Sequence, residues 1–216
     1  MKIATSNNMI SFCSKINFVS EKEFYDQKDR IQHCDGASRE ATTVYMDEPL
    51  KINNGLFTIG ANTCTAGGFT NGKKGAMFHC NSMYYDDSLK NAVNELKDND
   101  KQLNGLLVGS ERDGIKEYFD NFINIFKNLS VKTSIFRGQN NWGGTSIVFS
   151  ADDDTWYLYA CERPVRSKPV VVDSVEKLKN FYEEIKVSDE DELWINGKKI
   201  DVDKEGLRNK TSNKAK

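Results

Sequence analysis

Histidine is scarce in this chain of 216 residues: there are only two, His33 and His79. A structural zinc site needs four nitrogen or sulphur ligands at close spacing, and no C-x-x-C pair accompanies these imidazoles. No metal and no cofactor is expected. Long apolar runs are also missing. No aliphatic stretch exceeds the three residues of Leu106-Leu107-Val108, which excludes a transmembrane helix and with it membrane insertion. The opening Met1-Lys2-Ile3-Ala4-Thr5-Ser6-Asn7-Asn8 lacks the apolar stretch of a Sec-type signal. Basic surplus is absent too: 30 Lys+Arg face 32 Asp+Glu, for a formal net charge of −2. Dedicated nucleic-acid binders are basic, so no nucleic-acid partner is expected. The five cysteines (Cys13, Cys34, Cys64, Cys80, Cys161) are odd in number and widely spaced. Without a secretory signal they read as reduced thiols rather than a disulfide framework.

What is present suffices for one domain. Hydrophobic residues make up 38% and aromatics 11%, and a chain of this length buries a core without staples. A strand at Lys15-Ile16-Asn17-Phe18-Val19 and a polar helix over 21–32 are expected in the first forty residues. The β-branched Thr42-Thr43-Val44-Tyr45-Met46 reads as a strand stopped by Asp47-Glu48-Pro49. Strands follow over 55–60, 64–69 and 75–79, the last two joined through Asn71-Gly72, a hairpin signal. Leu89, Ala92, Val93 and Leu96 fall on one helical face, with Asp86 or Asp87 as N-cap. Residues 106–108 form a buried strand, 113–129 a second amphipathic helix and 131–136 a strand. A loop over 137–144 leads to paired strands over 145–150 and 155–161, joined by a solvated acidic turn. After Pro164 come a short strand at Val170-Val171-Val172 and a helix carrying Leu178, Phe181, Tyr182 and Ile185. That helix is opened by Asp173-x-x-Glu176 in the manner of a capping box. A hairpin follows on Asn196-Gly197. The expected fold is α+β, a layered β-sandwich with two main helices on it and a C-terminal helix and hairpin extension. The divisions expected are an N-terminal extension (1–40), a catalytic domain (41–163), an extension packed on it (164–202) and a disordered tail (203–216).

The chemistry concentrates between residues 58 and 79. A thiol with an ordinary pKa is only partly ionised at neutral pH, so a nucleophilic cysteine needs an imidazole to take its proton. The imidazole needs a third group to fix its orientation, and the developing oxyanion needs backbone N–H groups. Cys64 at the start of one strand and His79 at the end of the next become neighbours if the two strands pair. Thr58 has a hydroxyl to orient the ring. The polar turn at Asn62-Thr63 can present free N–H groups.

Thr58-Ile59-Gly60-Ala61-Asn62-Thr63-Cys64 resembles the T-[LI]-G-x-G-S-C signature of the chemotaxis deamidase family CheD. The helix at Asp86, Gly105-Leu106-Leu107-Val108-Gly109, the helix at Asp113 and Gly143-Gly144-Thr145-Ser146-Ile147-Val148-Phe149 follow that family's element order over residues 41–161. The family shares its fold and Cys-His site with the glutamine-deamidating toxins, the cytotoxic necrotizing factors among them. The His79-Cys80-Asn81-Ser82 run is similar to theirs. The resemblance implies Cys64 as nucleophile, His79 as base, Thr58 as orienting residue, and conversion of a target protein's glutamine to glutamate through a thioester.

Other features have plainer readings. His33-Cys34 is a competing pair, but adjacent side chains point apart. Cys80 fills core, and Cys13 and Cys161 are ordinary buried thiols. Trp142, in a polar loop, lines a substrate groove or anchors the loop. The expected protein is a monomeric glutamine deamidase acting on a protein substrate, in the bacterial cytoplasm or secreted by a non-Sec route as an effector or toxin on a host protein. Alternatives are a CheD-like chemoreceptor deamidase, a transglutaminase or cysteine protease, and a catalytically silent binding module.

Overall fold

Strands buried at successive positions need cover on both faces, and two sheets packed face to face with helices outside them supply it. A computed structural model describes residues 14–33, 39–81, 85–97, 102–109, 116–139, 143–162, 168–208 and 210–211. In chain order the elements are β1 (Ser14–Phe18), α1 (Glu21–His33), α2 (Arg39–Thr42), β2 (Lys51–Asn53), β3 (Gly55–Ala61), β4 (Thr65–Thr70), β5 (Gly75–Cys80), α3 (Asp86–Leu96), β6 (Asn104–Gly109), α4 (Lys116–Asn128), β7 (Lys132–Gln139), β8 (Gly143–Ser150), β9 (Thr155–Glu162), β10 (Val170–Val171), α5 (Val175–Phe181), β11 (Tyr182–Lys186), β12 (Asp191–Ile195), β13 (Lys198–Lys199) and β14 (Lys210–Thr211). One sheet runs β13-β12-β1-β9-β8-β3, with β10 on the remainder of the β9 edge, and the other runs β14-β11-β7-β6-β4-β5-β2. Both are mixed: β1 is parallel to β9 and β12, and β6 is parallel to β7.

The main core lies between the sheets. Ile16, Phe18, Leu56, Ile147, Phe149, Trp156 and Leu158 of the first sheet meet Ala66, Met77, Leu106, Val108 and Phe136 of the second. The outer face of the second sheet presents Phe69, Phe78, Leu107 and Ile135 to the apolar stripes of α3 and α4. The outer face of the first presents Phe57, Val148, Tyr157 and Tyr159 to Phe24 and Ile31 of α1. The α+β sandwich with two helices on it is present, and α1 adds a layer on the other side.

Several sequence expectations are corrected. Residues 42–46 do not form a strand. Only Thr43 pairs, as an isolated parallel bridge to Phe57, because Thr42 ends α2 and the chain already turns at 46–47, where Asp47 has φ 57. The α3 N-cap is Tyr85, without a side-chain cap bond, and Asp86 and Asp87 lie in the first turn, where the helix dipole favours them. Strand β7 runs on through residues 137–139 and β8 starts at Gly143, leaving no described loop between. Ser174, not Asp173, caps α5, accepting from the Lys177 backbone N–H. That helix stops at Phe181, and Tyr182 to Lys186 form a strand on β7. Pairing with the free β7 edge outweighs a helical spacing that also fits a strand.

Cuts at 40 and 163 would split the sheets, because β1 is central in one sheet and β11 pairs with β7 in the other. Nor do the described residues after 203 form a disordered tail. Leu207 is fully buried, the Val187 N–H donates to its carbonyl at 3.0 Å, and β14 pairs with β11. Residues 212–216 and the start of the second helix at 113–115 lie outside the described residues.

The acidic turn is solvated at Asp152 and Asp153 only. Asp154 (φ 47) turns inward. Register places Ser14 beside Asp191 and, through Lys15 and Thr155, beside Asp154, so the three stand in a row across parallel strand starts. Burial pushes Asp191 up to about 7, with the Ser134 hydroxyl pulling it back and Asp154 adding to it. Burial likewise lifts Asp154 to about 6. A raised carboxyl holds its proton more tightly folded than unfolded. This contribution is present below the ordinary aspartate value of about 3.9 and is lost as pH climbs towards 7. Asp191→Asn, which keeps an acceptor for Ser134, is expected to raise Tm by about 3 °C or more at pH 8 and by less than 1 °C near pH 4. Thermal denaturation across that range checks it.

Candidate active site

The site sits at the end of the sandwich where β3 and β5 finish and β4 begins. Thr58 points inward from β3, on the parity of Leu56. Immediately after it the β3–β8 register shifts, so that Thr58 faces Ile147 but Ala61 faces Thr145. The bulge is made at Gly60, φ 71, whose N–H donates to the Ser146 hydroxyl at 3.0 Å. A side chain at that φ is disfavoured, which gives the glycine its place in the motif. The bulge turns the chain through a bend at 62–64 and starts β4 in the opposite sheet.

β4 and β5 pair with Ala66 opposite His79. Both therefore face the interior, and Cys64, two residues before Ala66, shares that face diagonally to His79. Cys80 takes the opposite face and packs under the helices. The hairpin turn is held by Asn71, whose carboxamide oxygen accepts from the Lys73 and Lys74 N–H groups.

Thr58 Oγ1 lies 2.7 Å from His79 Nδ1, across the gap between the sheets. Both residues are buried, His79 at 4% exposure. The ring's other nitrogen, Nε2, is buried and has no hydrogen-bond partner among the described residues. Burial pushes the imidazole below the ordinary histidine range, opposed by the charge of Asp47. Cys64 is 5% exposed. Burial pushes its thiol up, the Thr63 hydroxyl and backbone N–H favour the thiolate, and the Asp47 charge opposes it. Burial thus disfavours the charged form of both groups. The thiol is not bonded to the ring: Sγ lies 3.3 Å from Met46 Sδ and 4.0 Å from Thr63 Oγ1.

Two residues here are missing from the sequence reading. Met46 and Asp47 belong to a strap over residues 44–48 that crosses the mouth of the site. The Val44 N–H donates to the Phe57 carbonyl (2.8 Å), the Asp47 N–H to the His79 carbonyl (2.8 Å), the Asn81 N–H to Asp47 Oδ1 (2.7 Å) and Tyr85 Oη to the Glu48 carbonyl (2.6 Å). The signal was an aspartate before Glu48-Pro49, a turn-former that tolerates positive φ.

The structure thus brings Thr58 of the first sheet against His79 of the second, with Cys64 on the interior face that His79 shares, and Asn62 exposed and Thr63 half-buried in the bend beside them. Trp142 lies outside the described residues, as does Cys34 of the competing pair; His33 is exposed at the end of α1. Among the described residues no group of three or more His, Cys, Asp or Glu is placed to hold a metal. No described helix is long and apolar enough to cross a membrane. Compared with protein-family models and with curated proteins, the chain matches none.

With only two histidines in the chain, NMR titration of the ring protons isolates His79. Its midpoint is expected below the ordinary value of about 6.5, and Asp47→Asn is expected to lower it further by removing the charge that opposes the shift.

Proposed function

We propose that the chain is a protein-glutamine deamidase, with Cys64 as nucleophile, His79 as acid–base catalyst and Thr58 as the positioning partner of His79. The observation that carries this reading is the buried Thr58–His79 pair, made between two sheets at 2.7 Å and leaving Nε2 unpartnered. Leaving a buried polar atom unsatisfied costs about 1–3 kcal/mol. Packing alone gives no return for that, whereas a base needs its nitrogen available. The likeness of residues 58–64 to the CheD and necrotizing-factor deamidases supports the same assignment.

In the reactive tautomer Nδ1–H donates to Thr58 Oγ1 and Nε2 accepts. As a glutamine carboxamide enters, Nε2 takes the Cys64 proton and sulphur adds to the carboxamide carbon. Backbone N–H groups of the Asn62-Thr63 bend stabilise the oxyanion. The imidazolium gives its proton to the departing nitrogen, the C–N bond breaks, and ammonia leaves a thioester. Water then loses a proton to Nε2, adds to the thioester carbon and releases glutamate and the thiol.

A polypeptide target is supported by the exposed Tyr45, Met46 and Ile59 in the strap and bulge that frame the mouth, at 49%, 51% and 49% exposure. Exposed apolar side chains of this kind suit a protein surface better than free glutamine. The strands contributed before residue 41 and after 163 support a target other than a chemoreceptor, and a secreted effector acting on a host protein is the destination proposed.

The test is release of ammonia with a one-dalton gain at glutamine in a protein mixture. Cys64→Ala is expected to abolish it, and His79→Ala to lower it about 10²- to 10⁴-fold. Thr58→Val should lower kcat about 10- to 100-fold with KM unchanged, and Thr58→Ser should restore most of it. Backbone cleavage would identify a protease and preferential amine incorporation a transglutaminase. Binding without any mass change would identify a silent module.

A further inference from the structure

The thiol that would attack is already occupied. Met46 is half exposed on the strap, yet its sulphur reaches inward to 3.3 Å from Cys64 Sγ. That is the separation at which a bound electrophile awaits attack, about 3–3.5 Å. A methionine side chain is unbranched, and its third atom beyond Cα is Sδ. In glutamine the third atom beyond Cα is the carboxamide carbon.

We infer that Met46 is a built-in substrate mimic: it fills the slot of the incoming glutamine side chain, its Sδ standing where the carboxamide carbon stands, and it screens Cys64 until a substrate displaces it. This rests on the glutaminase reading for what enters the slot, although the screening itself does not.

The strap's construction favours side-chain over backbone movement. Hydrogen bonds at Val44, Asp47 and Glu48 hold its backbone to β3, β5 and Tyr85, so the slot keeps its shape when Met46 leaves. Three rotatable bonds and an apolar thioether let the side chain swing out at low cost. The length of the plug also sets a selectivity. The carboxamide carbon of asparagine is one atom nearer its Cα and falls short of sulphur when the substrate backbone lies where the strap's does. Glutamine is taken and asparagine refused.

Two measurements on the full chain test this. In the first, alkylation of Cys64 by iodoacetamide is followed by peptide mass spectrometry, with the buried Cys80 and Cys161 as internal references. Met46→Ala should raise the Cys64 rate about tenfold or more, while Met46→Leu stays near wild type and the melting temperatures agree. In the second, Met46→Gln should place a carboxamide at the sulphur, and the residue at position 46 should gain one dalton with loss of ammonia. That gain should vanish when Cys64→Ala or His79→Ala is added.

An unchanged alkylation rate in Met46→Ala overturns the screening, whatever the enzyme does. Faster alkylation with no conversion at position 46, in a protein that deamidates glutamine in added unfolded casein, overturns the mimicry and leaves the glutaminase reading standing. Faster alkylation with no deamidation of casein or of position 46 overturns the glutaminase reading, and the mimicry with it.

Discussion

A polar side chain on the inner face of a two-sheet sandwich is buried, so it finds a partner across the gap or bears the cost of going unpaired. The interior polar contacts follow from this constraint. Thr58 meets His79, Thr145 meets Tyr182 at 2.6 Å, and Ser134 donates to Asp191 at 2.5 Å. Each joins one sheet to the other and fixes their stacking more sharply than apolar contact could. They also divide the molecule by purpose. Where β6 begins, the polar groups are carboxyls that burial pushes up; where β6 ends, they are the imidazole and thiol of the candidate site.

The two poles treat burial differently. Near Asp191 it raises two carboxyls, Asp191 beside the Ser134 hydroxyl and Asp154, so stability there varies with acidity. Near His79 it pushes the imidazole below its ordinary range and the thiol above its own, each away from its charged form. In the proposed reaction, proton transfer from sulphur to nitrogen would draw on the compensating interactions that a carboxamide and its oxyanion donors supply. Asp47 stands beside both groups and biases them in the same sense, towards the protonated form. It is also the residue that pins the strap, so local electrostatics and the geometry of access depend on one side chain.

Much of this was legible in the sequence. The Asn-Gly turns placed the hairpins of β4 with β5 and β12 with β13, and the helical stripes placed α3 and α4, because these signals are local. Thr58, Cys64 and His79 could be grouped because a bulge and a hairpin bring them together within twenty-two residues of chain. Met46 could not, since a methionine closing a β-branched run looks like the end of a strand, and its contact with Cys64 depends on the turn at Asp47. Tyr182 and Ile185 satisfied a helical spacing as well as a strand. The free edge of β7, invisible in sequence, decided between them. Asp154 looked solvated because its neighbours Asp152 and Asp153 are.

The parallel placement of β1 has a consequence for how the molecule comes into being. Residue 14 finds its partner at residue 191, so β1 lies between β9 and β12, a strand made much later in synthesis. At ribosomal speeds of about 5–20 residues per second, the chain spends on the order of ten seconds with that strand lacking a neighbour. Contacts this distant are slow to form once the chain is complete. The first sheet therefore closes late and as a whole: a chain cut before residue 191 would leave β1 with one edge unpaired in the middle of what should be a continuous sheet.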